Sequence, residues 1–256
     1  MNDEFYVGWE DKAAPGIGRF VRVVIVLILI FAIGLALALA ARQRTIGVSV
    51  FEWGRVKKFS GVLLTQPYPH LLVPRLGATG AQPSCSTYYL VAPFKHGLDQ
   101  SKLAPLDNRA VSLEGTLIYR GNQTMVEVRP DSVRAVDRQF PPFHGLETVS
   151  LGRQTFVGEI VDSKCYLGVM NPGQLTPHRD CAILCISGGI PPVLLVRQKN
   201  GPAIYLLLVS ADGKPVNQQV LDLVAEPVAI TGEVERQGEL LILRADPATY
   251  RRVNAN

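Results

Sequence analysis

From Leu106 the chain reads LDNRAVSLEG, then TLIYRGNQTMVEVRPDSVRAV to Val136. At an offset of 117 it reads LVAEPVAITG from Leu223, then EVERQGELLILRADPATYRRV to Val253, with no gap between the two copies. Gly115 matches Gly232, Gly121 matches Gly238, Val111 matches Val228, and Arg134 matches Arg251. Upstream, FSGVLL (59–64) parallels FVGEIV (156–161), and STYYLVAP (86–93) parallels PAIYLLLV (202–209). A chain that repeats itself in this way is expected to build the same unit twice.

Apolar and β-branched residues alternate on either side of Gly121-Asn122 and of Gln237-Gly238, which predicts a β-hairpin in each copy. Short strands bounded by Gly or Pro point to a mainly β fold: two tandem OB-like β-barrels, with a β-sandwich as the alternative. The expected organisation is a tail over 1–20, an anchor over 21–42 and a first unit over 46–136. A linker over 137–150, built on QFPPFHGLETVS (139–150), then leads to a second unit over 151–256.

The anchor is Val23–Ala41, 19 residues without a charge between Arg22 and Arg42. At about 1.5 Å per residue it matches the roughly 30 Å hydrocarbon core of a bilayer. Ala38-Leu39-Ala40 would suit signal-peptide cleavage, but the run is longer than a signal core and about 20 residues precede it. An uncleaved single span is therefore expected. Basic residues flank both ends, and counting them alone would leave the body in the cytoplasm. Long domains translocate largely regardless of such charges, so the expected arrangement is a bacterial inner-membrane protein with a periplasmic body.

The second copy carries about 20 additional residues between its first matched strands, and three of the four cysteines lie there. The spacing is Cys165-x12-His178-x2-Cys181-x3-Cys185. Thr176-Pro177, HRDCAILCIS and Gly188-Gly189 predict a short helix, with Thr176 as N-cap and Gly188 as the left-handed residue past its end. His178, Cys181 and Cys185 would share one face of it, and Cys165 would fold back from its strand to meet them. Asp162 and Lys164 beside Cys165 are expected as solvated charges, or as a pair with each other. An insertion that the sister copy lacks is expected to serve a site or a staple rather than the β-core.

Three chemistries fit these side chains. Three thiolates and an imidazole form a tetrahedral zinc set, and Met170 adds a soft donor suited to copper(I). A disulfide between Cys165 and Cys181 or Cys185 would staple the loop, and Cys181 beside Arg179 near a helix start could exchange it. The spacing matches neither standard iron–sulfur pattern, and no C-x-x-C-H supports covalent haem. Cys85 stands apart in the first unit, and His70, His96 and His144 show no partner pattern.

GEIVDSKCY (158–166), HRDCAILCISGGIPP (178–192), IYLLLV (204–209) and ITGEV (230–234) together resemble a family of small exported bacterial OB-like domains. That family carries D-x-x-C, then H-x-x-C-A-x-x-C, then G-[IV]-P. The resemblance covers about residues 156–253 and implies an OB-like fold and export, but no reaction; the first unit would be a degenerate copy.

A net charge of +4 is mild, and Lys and Arg show no basic stripe interleaved with aromatics, so nucleic acid is not expected as a partner. No phosphate loop or nucleophile elbow is present. The expected role is a membrane-anchored accessory subunit of a respiratory or redox membrane complex, touching lipid and other membrane or periplasmic subunits. Its second unit would bind metal or hold a disulfide. The alternatives are a stapled interaction module and a periplasmic thiol–disulfide enzyme or metallochaperone.

Overall fold

The computed structural model describes residues 14–43, 48–75, 84–140, 147–198 and 201–253. The proposed tail before residue 14 and the middle of the proposed linker, with His144, lie outside these. An N-terminal helix α1 (Pro15–Gln43) forms one unit, and everything from Val48 onward forms a second. Within α1, Pro15–Ala41 is long and apolar enough to cross a membrane.

The body contains two closed five-stranded barrels. In the first, β1 (Ser49–Phe51) is an extra strand on β5, and β2 (Lys57–Leu64), β3 (His70–Arg75) and β4 (Ser84–Val91) follow in order. After a short helix α2 (Gln100–Leu103) come β5 (Arg109–Arg120), β6 (Gln123–Val128) and the two-residue β7 (Arg134–Ala135). Neighbours run β5-β2-β3-β4-β6, and β6 closes back on β5; only β4 and β6 are parallel. The second barrel uses β8 (Thr148–Asp162), β9 (Pro192–Val196), β10 (Ile204–Val209), β11 (Pro227–Gln237) and β12 (Leu240–Arg244), with β13 (Arg251–Arg252) on β11. Its order β8-β9-β10-β12-β11-β8, with β10 parallel to β12, is identical. This is the OB connectivity, and closure leaves no sandwich.

The offset of 117 is visible in the hydrogen-bond register. Arg120 faces Gln123 across the Gly121-Asn122 turn, and Gln237 faces Leu240 across Gly238-Glu239. Ser49–Phe51 pairs with 118–120 just as Thr148–Ser150 pairs with 235–237. In the third strand the offset becomes 118, because Val91 lies opposite Glu127 as Val209 lies opposite Arg244. A Cβ on Gly61 would lie 2.2 Å from the Leu72 carbonyl oxygen, and one on Gly158 would lie 2.6 Å from that of Leu195. In both barrels the first strand passes its neighbour too closely for any side chain at that position.

The barrels pack face to face. Along β10, Leu206 and Leu208 fill the second barrel while Tyr205, Leu207 and Val209 face the seam. β4 does the same with Leu90 inward and Tyr89 and Val91 outward. Burial on both faces is why these strands read as unbroken apolar runs rather than alternating ones. Tyr68 crosses the seam: its hydroxyl donates to the Leu208 carbonyl at 3.3 Å and accepts from the Val216 N–H at 3.1 Å.

Two expectations about the connections change. The linker ends earlier than 150, since β8 already begins at Thr148. The insertion is also part of the core: Cys165, Tyr166, Leu167, Cys185 and Ile190 belong to the seam cluster, and Ala182 and Ile186 to the second barrel's interior. The sister barrel closes the same gap with five residues (65–69) where the second uses 29 (163–191).

Candidate metal centre

β8 ends at Asp162, and a π-helical turn over Cys165–Val169 follows directly. Asp162 is completely buried and fixes both ends of the site. One carboxylate oxygen accepts from the Cys165 backbone N–H at 2.7 Å, and the other lies 3.0 Å from His178 Nε2. The chain returns through a loop in which Gly173 packs against the Cys165 carbonyl, where a Cβ would come within 2.5 Å. A 3-10 turn over Thr176–His178 then leads into α3 (Arg179–Ser187).

The predicted helix is present, with different ends. Leu175, at φ 68°, precedes the 3-10 turn, and no side chain caps it, so Thr176 is inside the turn rather than its cap. At the other end Gly188 has φ −78°, and Gly189, at φ +100°, is the left-handed residue. His178 therefore precedes the α-helix, while Cys181 and Cys185 lie one turn apart within it.

Ligand atoms of Cys165, His178 and Cys181 lie within 4.8 Å of one another, and so do those of Asp162, Cys165 and Cys185. The predicted quartet thus meets around Cys165, but as two overlapping triplets. A tetrahedral zinc with 2.3 Å bonds to sulfur has edges of about 3.8 Å, so the first triplet needs to contract by at most about 1 Å. With Nε2 held by Asp162, Nδ1 is the nitrogen left for a metal, and a carboxylate–histidine pair is the usual outer support of such a ligand. The Cys/His group can hold a metal ion.

The thiols are electrostatically unequal. Cys165 is pushed far above the ordinary thiol range because it donates to Cys185, then by burial and the Asp162 charge. Cys185 is pulled below that range, chiefly by accepting this bond, with Lys95 helping against burial. Lys95 Nζ lies 2.7 Å from Cys181 Sγ, and this contact raises the ammonium above its ordinary value. Of this pair Cys185 is the first to lose its proton, and Cys165 keeps its own as the donor.

Lys95 comes from the first barrel, so the cluster sits on the seam. Lys164, 1 % exposed, also crosses it. Its ammonium pairs with Glu127 at 2.6 Å and donates to the carbonyls of Ala92 (2.9 Å) and Phe94 (2.6 Å). Asp162 and Lys164 are thus neither solvated nor paired with each other; each is buried with a distant partner. Sequence reading had no means of finding Lys95 and Glu127, since their partners are 86 and 37 positions away in the other barrel.

All four cysteines are free thiols, so neither expected disulfide, Cys165–Cys181 nor Cys165–Cys185, is formed. Cys85 is in β4 opposite Pro74, near Arg75 and Glu239, and takes no part in the cluster. Met170 donates its backbone N–H to the Cys165 carbonyl at 3.3 Å, and its side chain is exposed. His70 is buried, with Nδ1 2.8 Å from the Tyr68 carbonyl oxygen.

No family model and no curated protein matches the chain. Among solved structures, it is similar to a deletion mutant of the single-stranded DNA binding protein from Thermus aquaticus. The identity is 12% and the TM-score 0.23, over 82% of this chain and 90% of the other. The expectation that nucleic acid is not a partner is withdrawn on this finding, because a protein that binds single-stranded DNA is among the matches. Barrel surfaces can gather Lys and Arg residues that are scattered in sequence, so the missing linear stripe was a poor ground for exclusion. The match lifts the exclusion without assigning single-stranded DNA to the present chain.

Proposed function

We propose that this chain is a membrane-anchored accessory subunit of a bacterial redox membrane complex, with its body in the periplasm. Its second barrel binds one zinc or copper(I) ion through Cys165, His178 and Cys181, with Cys185 as the fourth donor. The observation that carries the reading is the convergence of Cys165 and Cys181 on a histidine already oriented by a fully buried carboxylate, with Cys185 joined to the group through Cys165. Soft thiolates select zinc or copper over hard cations. The resemblance to exported OB-like domains supports the location.

Purification of the full chain from membranes in detergent, followed by metal analysis, tests this. Close to one equivalent of zinc or copper is expected, falling sharply in Cys181→Ser and His178→Ala, with other subunits co-purifying. A metal-free lone monomer would contradict it. A second reading, thiol–disulfide exchange, is favoured by the Lys95 contact to the half-buried Cys181. It predicts loss of two free thiols on mild oxidation and no bound metal.

A further inference from the structure

The turn that joins β1 to β2 has a counterpart in the second barrel. Trp53-Gly54-Arg55 corresponds to Leu151-Gly152-Arg153, and the glycines have nearly the same backbone, φ +76° and +78°. In the first barrel the turn is locked by Trp53 N–H to the Phe51 carbonyl (2.8 Å), Arg55 N–H to the Glu52 carbonyl (3.0 Å) and an edge contact of Trp53 on Phe51 at 5.3 Å. What it displays is costly in water: Trp53 is 77% exposed and Val56 55%. After the glycine the first barrel reads Arg-Val-Lys-Lys where the second reads Arg-Gln-Thr. Lys57 is shared with Glu52 at 2.6 Å, so residues 52–58 carry a net charge of +2.

The two turns also differ in what the chain can bring near them. α1 ends at Gln43 and β1 starts at Ser49, so the chain between them is six peptide steps, a contour of at most about 21 Å. The second turn has no such tether. An exposed tryptophan among basic residues is the composition of a bilayer interface, where the indole rests at headgroup level and cations meet anionic phosphates.

We propose that the Trp53–Lys58 turn docks on the bilayer surface, with Trp53 and Val56 among the lipid headgroups and Arg55 and Lys58 against anionic phospholipid. The proposal rests on α1 being membrane-embedded, which flotation with vesicles tests separately.

The experiment uses the full chain carrying Trp9→Phe, so that Trp53 is the sole tryptophan, in phosphatidylcholine vesicles with and without phosphatidylglycerol. Trp53 emission should shift to the blue and lose intensity as brominated lipid is added, more so with phosphatidylglycerol. Arg55→Glu and Lys58→Glu should each weaken the docked state about fivefold or more, while flotation is unchanged. A chain that floats but whose Trp53 is unshifted and unquenched overturns the proposal. Quenching indifferent to phosphatidylglycerol and to both charge reversals overturns the anionic part. A blue shift that follows protein concentration and ignores bromolipid gives the patch to a second copy instead. Failure to float removes the anchor reading and this one with it.

Discussion

The two barrels share connectivity, hairpin turns and even the glycine at which strand one crosses strand two, yet they spend their first loop differently. The first barrel closes 65–69 with a short turn that sends Tyr68 across the seam. The second extends 163–191 into a helix, a Cys/His cluster and a buried lysine, with Cys165, Cys185 and Lys164 at the seam. A duplicated β-scaffold thus supplies both the site and a wall beside it: the first barrel gives Lys95 to a cluster it does not itself carry, and Glu127 and two carbonyls to the neighbouring Lys164. The copy without the motif is a component of the site rather than a bystander.

The largest effect should come from cutting the ion pair that joins the copies. Lys164→Met leaves Glu127 and two carbonyls without their partner, and about 3–5 kcal/mol of stability should be lost. Adding Glu127→Gln should recover part of it, read as denaturant midpoints of the full chain in detergent. If the single variant is neutral, the barrels are not held as described.

Leu167→Ala tests whether the insertion is core. It is fully buried, like Leu71 of the first barrel, and each change to Ala should cost about 2–5 kcal/mol. A loss below 1 kcal/mol at Leu167 alone would make the insertion an appendage.

Asp162→Asn should weaken metal binding 10–100-fold and cost about 1.5–3 kcal/mol, because His178 loses its charged partner and the Cys165 N–H a charged acceptor. Competition with a chelator and thermal unfolding read the two effects.

In the metal-free chain, thiolate absorbance should reveal Cys185 titrating below the ordinary thiol range. Its folded value is depressed, so the stability it contributes is present above the unfolded thiol pKa and is lost as pH falls through the folded one. Cys165→Ala removes the donated bond and should move that titration upward. The smallest effect belongs to Arg75→Ala at the exposed pair with Glu239, where less than about 1 kcal/mol is expected.

Much of this architecture was legible in the chain because hairpin registers leave a rigid spacing: the match of Gly115 to Gly232 survives as two equivalent close approaches between strands. The helix and its cysteines were legible from Pro177 and the paired glycines. The placement of Asp162 and Lys164 was not, since a charge beside a strand looks solvated until its partner is found. Those partners, His178 and Glu127, are brought close only by tertiary packing. The seam itself was written in IYLLLV and YYLV as runs without alternation, which a single buried face does not require.

X-ray absorption at the edge of the bound metal reads the donor set itself. The zinc-loaded full chain should show a mixed shell, sulfur at about 2.3 Å and imidazole nitrogen at about 2.0–2.1 Å, that loses sulfur in Cys165→Ser and in Cys181→Ser. A shell of oxygen and nitrogen alone, or one unchanged by either substitution, would contradict that donor set.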